Sequence, residues 1–268
     1  MTEQPAPPEE SWIHVGGEGQ ERRIAILNRP ATTRADGPVL VWLGGYRSDM
    51  TGTKAAEMDA FAANRGLGAI RFDYSGHGAS GGAFRDGTIS RWLEEALAVL
   101  EHLSPKSVVL VGSSMGGWIA LRLAQELRRR GSAIKLAGLV LIAPAPDFTS
   151  ELIEPHLTEE QRRSLVDRGY FEEVSEYSPE PNIYTRDLLE DGRANLVLTG
   201  LIETRCPVHI LQGMQDPDVP YRYALKLVEF LPAEDAVLTL IRDGDHRLSR
   251  PQDIEKMLSA IGTLINHD

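Results

Sequence analysis

The stretch VVLVGSSMGGWIALRLAQ, Val108 to Gln125, sets the tightest limit on what this chain can become. Four apolar residues run straight into Gly-Ser-Ser-Met-Gly-Gly, and a helical pattern begins at once. A short apolar run without alternation suits a strand buried on both faces, the habit of a parallel sheet. Parallel neighbours need long crossover connections, and helices supply them. The rest of the chain repeats this theme. PVLVWLGG (Pro38 to Gly45), GAIRFDYSG (Gly68 to Gly76), LAGLVLIAP (Leu136 to Pro144), PVHILQGMQD (Pro207 to Asp216) and AVLTLIRDGDH (Ala236 to His246) read as further strands. TKAAEMDAFAANRG, ISRWLEEALAVLEHL and YRYALKLVEFL have helical spacing, and a last helix follows Ser249, read as the start of a capping box. WIHV and RRIAILN, around a Gly-rich turn, read as a hairpin that precedes the series. The expected fold class is α/β: a mostly parallel, eight-stranded sheet flanked by helices.

The alternation breaks once, between Asp147 and Arg205. That segment carries fourteen Asp and Glu against six Arg and no Lys, so it holds −8 of the chain's net −11. An insertion of this length after the sixth strand reads as a helical lid. The expected organisation is a disordered tail over residues 1–10, a core over 11–146 and 206–268, and the lid over 147–205. The negative charge argues against nucleic acid as a partner. No apolar run approaches the ~20 residues of a membrane span. The single cysteine, Cys206, cannot pair within the chain. The N-terminus MTEQPAPPEE has neither the apolar core of a signal peptide nor the arginines of a transit peptide. A cytoplasmic location is therefore expected.

Gly112-Ser113-Ser114-Met115-Gly116 fits G-x-S-x-G with Ser114 at its centre. A strand that turns sharply into a helix crowds the backbone on both sides of the central residue, and glycines relieve the crowding. The serine is then displayed on a strained turn, as a nucleophile would be. The Met115 N–H belongs to the start of a helix and can stabilise an oxyanion. A serine nucleophile needs a base, and the base an orienting acid. Among seven histidines, His246 follows the last strand and so lies at the edge that presents Ser114. Asp216 follows the preceding strand and is the preferred acid, while Asp218 is expected to cap the helix near Tyr221. A second oxyanion donor should come from Leu43-Gly44-Gly45-Tyr46, with the Tyr46 N–H as candidate. This chemistry requires no metal and no cofactor.

The chain order Ser, Asp, His resembles that of the α/β-hydrolase superfamily, over about Trp12 to Ile265. Within it, GYRSDMTGTKA, RFDYSGHGAS, VGSSMGGW and CPVHILQGMQDPDVP with DGDHR resemble the animal mitochondrial palmitoyl-protein thioesterases of the α/β-hydrolase-domain series, also described as mycophenolic acid acyl-glucuronide esterases. The resemblance implies an α/β-hydrolase fold with Ser114 as nucleophile, Asp216 as acid, His246 as base, and oxyanion donors at Tyr46 and Met115. The expected activity is cleavage of carboxylic esters or acyl thioesters, on a small molecule or an acylated protein, through an acyl-enzyme. Tyr170, Phe171 and Tyr184 of the lid are candidates to line the acyl pocket. The rival reading is a hydrolase-fold receptor that binds a small ligand with little turnover.

Overall fold

The computed structural model describes residues 6–175, 180–232 and 236–266. In chain order the elements are β1 (Glu9–Val15), β2 (Arg22–Arg29), β3 (Val39–Leu43), α1 (Thr53–Asn64), β4 (Ala69–Phe72), α2 (Ile89–Leu103), β5 (Ser107–Ser113), α3 (Met115–Arg129) and β6 (Lys135–Ile142). They continue with α4 (Glu159–Asp167), β7 (Tyr170–Glu173), β8 (Asn182–Thr185), α5 (Arg186–Ala194), β9 (Val208–Gly213), α6 (Tyr221–Glu229), β10 (Ala236–Ile241) and α7 (Pro251–Leu264).

Eight strands form one sheet in the order β1-β2-β4-β3-β5-β6-β9-β10. The six strands from β4 to β10 run parallel, while β1 and β2 add an antiparallel edge. The unbroken apolar runs are explained by period-two geometry, because each face of the sheet is covered. On β5, Val108 and Leu110 pack in one layer with Trp92, Trp118 and Leu227, whereas Val109 and Val111 pack in the other with Met58, Met257 and Ile261. Helices α2, α3 and α6 therefore lie on one side, with α1 and α7 on the other. Each such aliphatic side chain, taken fully out of water, contributes about 1.5–3 kcal/mol.

Three boundaries differ from expectation. β1 already begins at Glu9, so Glu9 and Glu10 pair with Asn28 and Leu27 and belong to the sheet, not to a tail; residues 1–5 of the expected tail lie outside the described residues. Helix α7 is capped by Arg250, whose side chain and backbone N–H both meet Asp253, so Ser249 is not its cap. The inserted segment is only partly helical. Besides α4 and α5 it contains the antiparallel pair β7–β8, with Phe171 opposite Tyr184. Its two ends are tied together by the buried Asp147 carboxylate, which accepts the N–H groups of Val197 (2.9 Å) and Leu198 (2.8 Å).

Candidate active site

The parallel strands end along one edge, and the loops that leave β3, β5, β9 and β10 meet there. β5 turns into α3 at Ser114, whose φ of 54° and ψ of −118° lie where a side chain is strained. The glycine spacing has a direct cause. A Cβ at Gly116 would run into the Leu43 carbonyl oxygen, and one at Gly112 into the Gly116 carbonyl oxygen. The strained turn is held by the Ser114 N–H, which donates to Ile142 O at 2.9 Å, and by the N–H groups of Gly117 (2.9 Å) and Ala145 (3.1 Å), which donate to Ser114 O.

His246, in the loop that joins β10 to α7, reaches this serine across the sheet edge.

 Its Nε2 lies 3.1 Å from Ser114 Oγ, and its Nδ1 lies 2.8 Å from Asp216 Oδ2. Asp216 is buried, and its other oxygen accepts the N–H groups of Asp218 (2.9 Å) and Val219 (2.8 Å). The structure thus brings together the three residues expected from chain order. It also supplies one that sequence reasoning missed. Gln212, fully buried at the end of β9, points its Nε2 at Asp216 Oδ2 (3.0 Å), Val219 O (3.0 Å) and Gly213 O (3.1 Å). All three neighbours are acceptors, so the amide nitrogen must face them. In sequence Gln212 is only a polar residue in an apolar strand, a signal that could have marked it.

Asp218 does not cap α6, whose N-cap is Pro220 with no side-chain cap bond. Its exposed carboxylate instead belongs to a group with Asp216 and His246, whose nearest polar atoms all lie within 4.8 Å of one another. The loop after His246 is pinned from α1. Lys54 Nζ donates to Arg247 O and lies 3.3 Å from Ser249 Oγ. Burial lowers the Lys54 ammonium from 10.5 to about 8. Between those values the unfolded chain holds a proton that the folded chain has lost, so stability must rise with pH across that window. The expected result is that the stability of the parent, measured against Lys54→Met by urea unfolding, improves from pH 8 to pH 10. A flat or falling difference would refute it.

Gly45 lies against the strained serine, since a Cβ there would come within 3.3 Å of Ser114 Cβ and 3.1 Å of Ser113 O. The Gly45–Tyr46 peptide is therefore next to Ser114, and Met115 is the first residue of α3. The Tyr46 ring stacks on Tyr184 at 5.5 Å and 8°, and its hydroxyl donates to Ile183 O. Tyr184 in turn meets Phe171 at 5.3 Å. Phe148 links the Tyr46 ring (6.0 Å) to Trp118 of α3 (5.5 Å). Tyr170 is not brought to this aromatic group, which corrects its expected place in the pocket. It sits beside Phe171 on a strand, so it faces the other way; there Arg85 and Arg168 lie over its ring and Arg168 donates to its hydroxyl at 2.6 Å.

The sequence model of the alpha/beta hydrolase family matches residues 40–256. Mouse palmitoyl-protein thioesterase ABHD10, mitochondrial, is 31% identical over 97% of this chain and 88% of its own length. The structure of mouse alpha/beta hydrolase domain-containing protein 10 superposes with a TM-score of 0.83 at 28% identity, covering 96% of this chain and 98% of that one. A crystal structure of a protein from Agrobacterium vitis S4 superposes with a TM-score of 0.95 at 68% identity, covering 97% and 100%. The curated relatives from orangutan, human and mouse are all mitochondrial by name, which overturns the cytoplasmic expectation drawn from the N-terminal composition. Fold, sequence match and near full-length relatives agree: this chain belongs to the alpha/beta hydrolase family.

Proposed function

We propose that the chain is a serine hydrolase of carboxylic esters and acyl thioesters that works through an acyl-enzyme. The observation that carries this reading is the continuous relay from Ser114 Oγ through both nitrogens of His246 to Asp216, at 3.1 and 2.8 Å. Ser114 Oγ attacks the acyl carbon while His246 Nε2 takes its proton, and the carbonyl electrons move onto oxygen. The N–H groups of Met115 and Tyr46 stabilise that oxyanion. Collapse expels an alkoxide or thiolate, which leaves with the proton from His246. Water then repeats the sequence on the acyl-serine, giving the free acid and restoring Ser114. Asp216 keeps the Nδ1 proton in place and stabilises the imidazolium formed in each half.

Phe171, Tyr184 and Phe148 offer an apolar wall for the acyl chain. The names of the ABHD10 relatives support acylated protein as a substrate class, beside small esters. The acidic inserted segment disfavours a leaving group as anionic as coenzyme A. The test is kcat/KM on matched oxygen esters and thioesters of short and long acyl length, with Ser114→Ala as blank. Long-chain thioesters should be preferred, by at least tenfold over short ones. No turnover that depends on Ser114 on any of them would refute the reading and favour a ligand-binding receptor.

A further inference from the structure

His77 lies in the Gly76-His77-Gly78 turn after β4, and the relay described above makes no use of it. It is buried, packed edge-on against Phe84 (5.0 Å) and Trp92 (5.4 Å). Both ring nitrogens are engaged. Nδ1 lies 3.1 Å from Ser75 O, and a carbonyl can only accept, so Nδ1 carries the proton. Nε2 is then a lone-pair acceptor, and the Arg47 N–H donates to it at 3.3 Å. Burial holds the imidazole neutral, with its proton affinity lowered to about 4. The group that receives this attention is unusual. Arg47 has a φ of 57°, a left-handed conformation that a non-glycine residue adopts at a cost. It directly follows Tyr46 and lies two residues beyond Gly45, which abuts Ser114. A strained turn persists only where its surroundings hold it.

We propose that His77 is a positioning residue: by accepting the Arg47 N–H it fixes the turn that presents the Tyr46 N–H to the substrate oxyanion. This rests on the serine-hydrolase reading. The same turn is gripped from the other side by the inserted segment, through Tyr184 on the Tyr46 ring and Glu180 on Arg47 Nη1 (2.7 Å). His77 acts on the backbone and the insertion acts on the side chains, so neither substitutes for the other.

Two polar variants separate this role from simple packing. In His77→Gln the amide reaches the place of Nε2 and can still accept from Arg47. In His77→Asn it reaches only the place of Nδ1 and keeps the Ser75 contact alone. Losing an oxyanion donor outright costs about 10²–10³ in kcat, so displacing one should cost His77→Asn roughly 10- to 100-fold. KM should change less than about threefold, and a trifluoromethyl ketone that forms the tetrahedral adduct should weaken in parallel. His77→Gln should recover most of both. Equal losses in the two variants, or losses that follow Tm, would overturn the proposal. The unaltered protein gives a check that needs no variant: imidazole ¹⁵N spectra should show His77 neutral with its proton on Nδ1, and a proton on Nε2 would overturn it. Ser114→Ala in the same assay keeps the two readings apart. If it is inactive while His77→Asn turns over at the parent rate, only the His77 role fails; if Ser114→Ala keeps turning over, the hydrolase reading itself fails.

Discussion

Ser114→Ala should fold as the parent does and lose roughly four to six orders of magnitude in kcat. The size follows from what is removed. Without Oγ there is no atom to form the acyl-enzyme, and only binding and the two backbone donors remain to assist water. The fold should not notice. The strained backbone is held by bonds from Ile142, Gly117 and Ala145, none of which involves the side chain. Alanine keeps the Cβ and so pays the same conformational cost as serine. His246 Nε2 loses one partner, but the residue is only part-buried and water can replace it. The checks are steady-state kinetics on a chromogenic ester, with circular dichroism and Tm as controls. Activity near that of the parent would remove Ser114 from the mechanism.

Physical scale decided how much could be read from the sequence. The parallel core was legible because each of its strands is buried on both faces and each crossover is helical, so local pattern and global position agree. The strained serine was legible for a local reason, since the glycines at 112 and 116 answer to atoms a few residues away or on the next strand. The β7–β8 pair was not legible. YFEE and NIYT are four residues each, too short to show a period, and each pairs with a partner that is not its immediate neighbour in the chain. That miss explains another. Tyr170 and Phe171 can share a pocket wall on an irregular segment, but not on a strand, where neighbours face opposite ways. Gln212 was missed and Asp218 misjudged because the turn from Asp216 to Val219 folds back on the Asp216 carboxylate. That turn delivers two N–H groups to Asp216 and Val219 O to Gln212, and it leaves Asp218 outside α6.

The same turn sets the second large effect: Asp216→Asn should lower kcat by about 10⁴-fold, and Asp218→Asn by less than about tenfold. Asp216 accepts four hydrogen bonds, from His246, Gln212 and two backbone N–H groups. An asparagine has one acceptor oxygen. If that oxygen serves the backbone of Asp218 and Val219, the NH₂ faces His246 Nδ1 and the Gln212 amide. His246 must then accept at Nδ1 and carry its proton on Nε2, the tautomer that cannot take a proton from Ser114. The NH₂ also opposes the Gln212 NH₂, which then keeps only Val219 O and Gly213 O as acceptors. Asp218 is placed differently. Its carboxylate is exposed, within 4.8 Å of the other two groups, and replacing it leaves the bond between His246 Nδ1 and Asp216, and so the tautomer, intact. Kinetics on both variants, with Tm as control, rank the two acids. A larger loss in Asp218→Asn would mean that Asp218 orients the base and that the buried Asp216 serves the turn alone.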